Sequence, residues 1–270
     1  MSDRFTEYVE NWFKEREITV STIKGFKSAL GRHLNAPSSI RRYIAAAKPW
    51  LALQRLEGRH NIDSDGVRIL LKPPPLVREE PESLVAGDVR ALLKAATEYR
   101  LPNYAWFVLM SFTTGARPGE VVGLQSSNFE PAKGRLRVFA TKTMRARYVP
   151  LAKSTSLTAL SKAALPPGKL FHLCGARGGP ETHYWKALCE EAGLPPKEPW
   201  VMRSTVATCL ASCGHLTLLE YTNWMGHSER TALDYYIDPN GKRAQGSTIE
   251  AWLEAEAEFK ALTARCLEPQ

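Results

Sequence analysis

The prediction of the fold rests first on the stretch Thr113-Thr-Gly-Ala-Arg117-Pro-Gly-Glu120-Val-Val-Gly-Leu124. This stretch lies between two predicted helices. Residues 104–112 before it are almost all apolar, as expected of a buried helix. Gly and Pro end that helix, and a further helix is predicted over residues 120–124. A break of this kind presents backbone N–H groups and one Arg together, which favours an anion such as phosphate. Glu120 follows Arg117 by three residues and can support its guanidinium.

Helical patterns surround this stretch, with a short hairpin between them. Residues 83–99 carry Leu and Val at helical spacing, and the pattern is helical again from residue 181 onward. Between them, residues 135–140 and 147–151 are rich in Val, Phe and Tyr, which predicts the two strands of a β-hairpin. We therefore expect a mainly α fold with a small β-sheet.

A proline-rich segment predicts a domain boundary. Lys72-Pro-Pro-Pro-Leu-Val-Arg-Glu-Glu-Pro81 has four prolines in ten residues and cannot form a helix or a central strand. It predicts a semi-rigid connector over residues 72–82 between two separately packed domains. The first domain, residues 1–71, has helical patterns, and the second comprises residues 83–270 with a helical tail.

The charge of the chain favours a polyanionic partner. Its 270 residues carry a net charge of +8, with 44% apolar and 24% charged residues, as in a globular protein. Most of the basic excess lies between Val20 and His60, and Glu57 is the only acidic residue within this range. The basic residues there are Lys24, Lys27, Arg32, Arg41, Arg42, Lys48, Arg55 and Arg59. A solvated helix surface usually mixes both signs, so we interpret this block as contacting nucleic-acid phosphates.

Several classes of protein are excluded by the sequence. No apolar run approaches the roughly 20 residues that span a bilayer, and the polar start does not resemble a secretory signal. The five cysteines contain no Cys-x-x-Cys pair, so we expect reduced thiols and a cytoplasmic location. Cys209, Cys213 and His215 could suggest zinc, but two small apolar residues on a buried helix face explain the cysteines more simply. We predict no metal site.

Basic and polar residues recur in three later segments. The hairpin region carries Lys133, Arg135, Arg137, Lys142, Arg145, Arg147 and Lys153. The other segments are Trp200-Val-Met-Arg203-Ser-Thr and Trp224-Met-Gly-His227-Ser-Glu-Arg-Thr-Ala-Leu-Asp-Tyr-Tyr236. Taken singly, each of these residues is more simply explained as structural: Arg203 as a buried ion pair, His227 as a satisfied core histidine and Tyr236 as a core phenol.

In this order the segments resemble the boxes of the tyrosine recombinases, the phage-integrase and Xer-like site-specific DNA recombinases of viruses and mobile elements. The family's Thr-Gly-x-Arg-x-x-Glu segment is similar to residues 114–120, and its hairpin Lys before a Val-Pro-Leu ending is similar to Lys142 and residues 149–151. Its Arg box matches at Arg203, and its Gly-His, followed nine positions later by Tyr, matches at His227 and Tyr236. The resemblance covers residues 83–240, and the N-terminal residues fit a helical core-binding domain.

The resemblance implies a role for each matched residue. Arg117 and Arg203 would hold the non-bridging oxygens of a DNA phosphodiester, and His227 would add a hydrogen bond. Tyr236 would attack phosphorus to give a covalent 3′-phosphotyrosine, and Lys142 would protonate the leaving 5′ oxygen. Neither ATP, a metal nor another cofactor is required. Expected DNA contacts elsewhere are Lys24, Lys27, Arg32, Arg41, Arg42, Lys48, Arg145 and Arg147.

One residue departs from the family pattern. Trp200 stands where the family has the His of its His-x-x-Arg box, and an indole can donate a hydrogen bond but cannot take a proton. A catalytically impaired DNA-binding protein of the same fold is therefore one alternative, and a type IB topoisomerase-like relaxing enzyme is another. Tyr235 is a rival nucleophile to Tyr236, and Lys133 and Arg145 are rivals to Lys142; spacing favours Tyr236 and Lys142.

The resemblance also implies an assembly. Recombination needs several cleavages, so we expect a homo-tetramer on paired attachment or recombination sites in double-stranded DNA. The tail of residues 248–267 has an apolar stripe that is costly to leave in water. We expect this stripe to dock on a neighbouring subunit in trans, and folding back onto its own domain is the alternative. Its residues are Ile249, Trp252, Leu253, Phe259 and Leu262.

Overall fold

The structure, a computed structural model, divides into two compact units, Met1–Glu79 and Glu80–Gln270. It describes residues 82–140, 145–172, 179–212, 216–236 and 249–268. Of the N-terminal unit it describes eight helical residues, namely Ala45, Lys48, Pro49, Ala52, Arg55, Leu56, Ser64 and Asp65. The division between the units falls inside the predicted connector of residues 72–82.

Most of the predicted DNA-contacting block lies outside the described residues. This is the case for Lys24, Lys27, Arg32, Arg41 and Arg42. Lys48 is described and is a half-buried helical residue. The N-terminal contacts therefore stay a prediction.

In the C-terminal unit, the described residues form ten α-helices and three strands, which confirms the expected mainly α fold with a small sheet. The helices are α1 (Ala86–Glu98), α2 (Asn103–Thr114), α3 (Pro118–Val122), α4 (Thr155–Lys162), α5 (Thr182–Glu191), α6 (Trp200–Ser212), α7 (Leu218–Met225), α8 (Glu229–Tyr235), α9 (Ile249–Trp252) and α10 (Glu256–Leu267). The strands β1 (Phe129–Glu130), β2 (Arg135–Ala140) and β3 (Arg145–Pro150) lie between α3 and α4. No helix within these ranges is long and apolar enough to cross a membrane.

The sheet is an antiparallel meander in the order β1-β2-β3. β2 and β3 form the predicted hairpin, with Leu136 opposite Val149 and Val138 opposite Arg147. Side chains alternate between the two faces of a strand. Because Leu136, Val138 and Val149 are buried, Arg147 shares the inward face.

Helix α2 lies at the centre of this unit. Every residue from Tyr104 to Thr114 is buried, and α1, α6 and α10 pack against the helix. Its all-round apolar surface explains the burial, since a helix without a polar face has to be surrounded by other elements. The last turn of α2, which leads into Gly115 and Arg117, therefore starts from a fixed position in the core.

The tail forms two helices, where the sequence suggested one amphipathic segment. α9 and α10 are separated by a turn in which Glu254 has a φ of 50°. α10 packs against α1, α2 and α4 of its own unit, and Ile249, Leu253, Phe259 and Leu262 are buried there. The expectation that this stripe docks on a neighbouring subunit is corrected: the apolar side chains are covered in cis.

Candidate active site

Arg117 lies at the start of α3 and is held by a carboxylate one turn later. It is the N-cap residue of the helix, and Glu120 is the third helical residue. Glu120 accepts a hydrogen bond from the Arg117 backbone N–H at 3.0 Å and another from Arg117 Nη1 at 2.7 Å. The Glu120 side chain is only 3% exposed, so guanidinium groups compensate its charge in place of water.

Arg147, on β3, binds the same carboxylate. Its Nη2 donates to Glu120 Oε2 at 3.0 Å, and its side chain is 8% exposed. Burial lowers the pKa of Arg147 to about 10 against the opposing charge of Glu120, so the guanidinium is protonated at neutral pH. The sequence predicted that Arg147 contacts DNA. The strand turns Arg147 inward beside Arg117, so the contact with DNA stays a prediction and would be made within this buried cluster.

Arg203, on α6, is 1% exposed and forms no ion pair with a carboxylate among the described residues. Its Nη1 donates to the carbonyl of Gly115 and its Nη2 to the carbonyl of Met225, both at 2.6 Å. These carbonyls lie at the C-terminal ends of α2 and α7, where the helix dipole favours a positive charge. Burial, followed by Arg117 and Arg147, lowers the pKa of Arg203 to about 9, which still leaves it charged at neutral pH.

Two glycines make this arrangement possible. Gly115 and Gly226 end α2 and α7 in the left-handed conformation, with φ of 60° and 63°. A Cβ at position 115 would lie 2.8 Å from Met225 Sδ, and one at position 226 would lie 2.9 Å from Arg147 Cδ. Only glycine lets the two chain reversals approach each other and Arg147 so closely.

His227 and Tyr236 lie at the two ends of one helix. His227 directly follows Gly226, and Tyr236 is the residue that ends α8. Their rings are stacked, with centroids 5.0 Å apart and planes 12° from parallel. Tyr236 is partly buried against the core. The nine-residue spacing seen in the sequence thus corresponds to a direct ring contact.

The charges around His227 are unbalanced. Three guanidinium groups, from Arg117, Arg147 and Arg203, face one carboxylate, from Glu120. Burial lowers the pKa of His227 to about 3, and the positive charges of Arg203, Arg117 and Arg147 add to the shift. His227 is therefore a neutral imidazole at neutral pH, and the excess of positive charge around it favours an anion.

Unpaired polar atoms are concentrated at the same place. Ten buried side-chain polar atoms have no hydrogen-bond partner within the described part of the chain, and five of them lie here. These five are Arg147 Nε, Arg147 Nη1, Arg203 Nε, Tyr221 Oη and His227 Nδ1. Buried polar groups are normally paired, so this concentration indicates a site built for a polar ligand or for bound water.

Trp200 covers one side of the cluster. It is the first residue of α6, and the guanidinium carbon of Arg203 lies 5.4 Å from the centre of its ring. This distance is within the range of a cation–π contact. Because Trp200 is 43% exposed, it forms part of the rim of the site. Here it can orient Arg203, but it supplies no group that takes a proton.

The structure thus brings five predicted residues together and leaves others apart. Arg117, Glu120, Arg203, His227 and Tyr236 adjoin one another, with Trp200 at the edge. Lys142 lies outside the described residues, and Arg145 is exposed at the start of β3. No cluster of His, Cys, Asp or Glu that could hold a metal ion occurs among the described residues. Cys213 and His215 lie outside them.

Sequence reasoning missed Tyr221, and it predicted Arg147 as a DNA contact without placing it beside Arg117 and Glu120. Tyr221, on α7, is 2% exposed, and its ring centroid lies 6.1 Å from that of His227. Nothing in the sequence distinguishes it from an ordinary core phenol. For Arg147 a signal existed: it alternates with Val149 on a predicted strand, and two residues of that spacing share one face.

Comparison with known proteins shows the fold. No protein-family model matches the chain, and no curated protein matches it. Among solved structures, a lambda integrase dimer bound to a COC′ core site is 18% identical, with a TM-score of 0.60, over 88% of this chain and 78% of that chain. A lambda integrase tetramer bound to a Holliday junction is 16% identical, with a TM-score of 0.58, over 88% of this chain and 78% of that chain.

A third similar structure comes from a transposon. The Tn1549 transposon integrase in complex with transposon right end DNA is 16% identical, with a TM-score of 0.55, over 87% of this chain and 95% of that chain. These likenesses confirm the integrase fold that the resemblance to tyrosine recombinases implied. At such identities they establish the fold, and the chemistry has to be argued from this chain's own residues.

Proposed function

We propose that this chain is a site-specific DNA recombinase that cleaves and rejoins duplex DNA through a covalent 3′-phosphotyrosine. One observation carries the proposal: the guanidinium groups of Arg117, Arg147 and Arg203 lie near enough to lower the pKa of a neutral His227, whose ring stacks on that of Tyr236. Two of these groups share the carboxylate of Glu120. An excess of fixed positive charge beside a tyrosine is the environment that nucleophilic attack on a phosphodiester requires.

The cleavage step consists of an exchange of two ester bonds. The Tyr236 oxygen forms a bond to phosphorus while the bond from phosphorus to the 5′ oxygen breaks. The phenolic proton passes to solvent water, Lys142 gives a proton to the 5′ oxygen, and the DNA 3′ end remains esterified to the tyrosine. A 5′-hydroxyl from a second strand then reverses the step and exchanges strands. The ester keeps the energy of the original bond, so the balance needs no nucleotide.

The guanidinium groups stabilise the transition state. Negative charge on the non-bridging oxygens increases during attack, and donors fixed in advance stabilise it without reorganising. Arg203 is fixed by the two helix ends and Arg117 by Glu120. Arg147 shares Glu120 with Arg117 and keeps two nitrogens, Nε and Nη1, unpaired within the described residues. We assign it to the same phosphate site as Arg117 and Arg203.

Proton transfer to the leaving oxygen is assigned to Lys142. It lies outside the described residues, on the connection between β2 and β3, and it remains the cation that the family resemblance favours. His227 is neutral and supplies a hydrogen bond, while Trp200 orients Arg203. A catalyst of this design does not depend on a protonatable group at position 200.

DNA binding and assembly belong to the same proposal. The basic block of residues 20–60, together with Arg145, would contact phosphates on either side of the cleaved bond. A lambda integrase structure of similar fold is a tetramer on a Holliday junction, and we propose a tetramer on paired sites here. Because the tail stripe is buried in cis, the subunit contacts would have to come from other surfaces.

The test is covalent capture on nicked candidate attachment-site DNA, followed by a denaturing gel. The wild-type chain should form an adduct, Tyr236→Phe should bind the DNA without forming one, and Tyr148→Phe, at an exposed tyrosine on β3, should behave as wild type. Arg203→Ala should slow capture by roughly 10²–10³-fold, as for one lost oxyanion donor. Arg137→Ala, at an exposed position on β2, is its control.

The capture assay, together with a supercoil-relaxation assay, separates the alternatives. DNA binding without any adduct would identify a catalytically impaired DNA-binding protein. Relaxation of supercoiled plasmids that lack a specific site would identify a topoisomerase-like enzyme. Either result would overturn the recombinase proposal.

A further inference from the structure

We propose that the hydroxyl of Tyr221 donates a hydrogen bond to Nδ1 of His227 and so fixes the position of the imidazole proton on Nε2. Tyr221 would be a positioning residue, acting on the reaction only through His227. Its relevance to catalysis rests on the proposed function, whereas the hydrogen bond itself can be tested without DNA.

The inference starts from two unpaired atoms on neighbouring rings. Tyr221 Oη and His227 Nδ1 are both buried, and neither has a partner within the described residues. The ring centroids are 6.1 Å apart and the planes are inclined by 59°. A tyrosine hydroxyl projects beyond its ring edge, so a centroid separation of 6.1 Å is short enough for a hydrogen bond between Oη and Nδ1 when these two edges face each other.

The chemistry of the five unpaired atoms selects this pair. Arg147 Nε, Arg147 Nη1 and Arg203 Nε can only donate hydrogen bonds. A hydroxyl proton needs an acceptor, and among the five atoms only the imidazole Nδ1 can supply one. The Tyr221 oxygen can in addition accept from a guanidinium, so one hydroxyl can satisfy two unpaired groups at once.

Both partners are in the protonation state that this bond requires. Burial raises the pKa of Tyr221 well above its ordinary value, and Tyr236 adds to the shift while Arg203 opposes it, so Tyr221 is a protonated phenol at neutral pH. His227 is neutral because burial and the nearby arginines lower its pKa. A neutral imidazole has one donor and one acceptor nitrogen, and the partner of one nitrogen sets the role of the other.

The consequence concerns the phosphate. An acceptor Nδ1 leaves the proton on Nε2, which can then donate a hydrogen bond to an oxygen of the DNA phosphate. With the opposite tautomer, Nε2 would present a lone pair to that oxygen and repel it. Tyr221 thus replaces, by one neutral hydroxyl, the carboxylate or carbonyl that often orients a functional histidine.

The experiment is ¹⁵N NMR of the imidazole nitrogens in the full chain at neutral pH, without DNA. The His227 signals are assigned by their loss in His227→Gln. In the wild-type chain we expect the shifts of an acceptor Nδ1 and a protonated Nε2. Tyr221→Phe removes only the hydroxyl, and its His227 signals should move toward a mixture of the two tautomers.

Tyr104→Phe is the matched control. Tyr104 is a buried phenol at the opposite end of α2 from Gly115, and its hydroxyl donates to the Glu181 carbonyl. Its loss should leave the His227 signals unchanged. Wild-type signals of a protonated Nδ1 would overturn the inference. Unchanged signals in Tyr221→Phe would also overturn it and would indicate that a guanidinium of Arg147 or Arg203 is the donor instead.

Discussion

At the scale of single residues, the site depends on how one buried arginine is satisfied. Arg203 has two helix-end carbonyls as acceptors, and each helix ends at a glycine with positive φ. Arg203 and both glycines lie in recognisable segments of the sequence. The sequence could not show that the helices ending at these glycines supply acceptors to Arg203, or that Gly226 leaves room for Arg147. That relation depends on α2, α6 and α7 meeting at one point, which no local pattern encodes.

Replacing Gly226 should therefore disturb Arg147 as well as the backbone. Gly226→Ala places a Cβ 2.9 Å from Arg147 Cδ. We expect a loss of folding free energy of about 1–3 kcal/mol from overpacking, added to the ~1 kcal/mol cost of a left-handed alanine. Denaturant titration measures both. Gly134 has nearly the same φ, and a Cβ there would have no neighbour within 4 Å, so Gly134→Ala should show the backbone cost alone. Equal losses of folding free energy in the two variants would show that Gly226 does not confine Arg147.

The depressed pKa of His227 predicts a pH dependence of stability. Its pKa falls from 6.5 to about 3 on folding, so the unfolded chain binds more protons between these values. Stability should therefore fall as the pH is lowered from about 6.5 toward 3, and His227 contributes nothing to the slope above that window. In His227→Gln this contribution is absent, so unfolding free energies between pH 7 and 4.5 should decline less steeply than in the wild type. Parallel curves would mean that His227 titrates normally in the folded chain.

At the scale of elements, hydrophobic periodicity predicted which helices and strands form. It did not predict which elements pack against each other. The apolar run before Gly115 predicted α2, and two segments rich in Val, Phe and Tyr predicted the hairpin of β2 and β3. The tail pattern predicted an apolar stripe but not what covers it. An apolar stripe covered by its own unit and one covered by a neighbouring subunit have the same sequence pattern. Both need only a complementary apolar surface.

Substitutions in α10 distinguish the two kinds of burial. Leu262 is fully buried against the unit's own core, whereas Leu267 on the same helix is 40% exposed. We expect Leu262→Ala to lower the unfolding free energy by about 2–5 kcal/mol in the monomer and Leu267→Ala by less than about 1 kcal/mol. Chemical denaturation at low protein concentration measures this. A monomer insensitive to Leu262→Ala, with assembly on DNA lost, would restore the trans arrangement.

At the scale of the whole molecule, the site is assembled from distant segments. α3 supplies Arg117 and Glu120, β3 supplies Arg147, α6 supplies Arg203, and the turn and helix after α7 supply His227 and Tyr236. The order of short motifs along the chain was enough to predict that most of these residues belong to one site. Motif order alone did not include Arg147, for which the alternation along β3 was the available signal, or Tyr221, whose place in the site follows from helix packing.

The most direct measurement identifies the residue that becomes bonded to DNA. Covalent complexes captured on nicked candidate attachment-site DNA are digested with nuclease and trypsin, and the peptide of residues 231–242, which contains both Tyr235 and Tyr236, is fragmented in a mass spectrometer. We expect a nucleotide remnant on Tyr236. A remnant on Tyr235 or on any other residue, or the absence of an adduct under conditions in which the chain binds DNA, would contradict it.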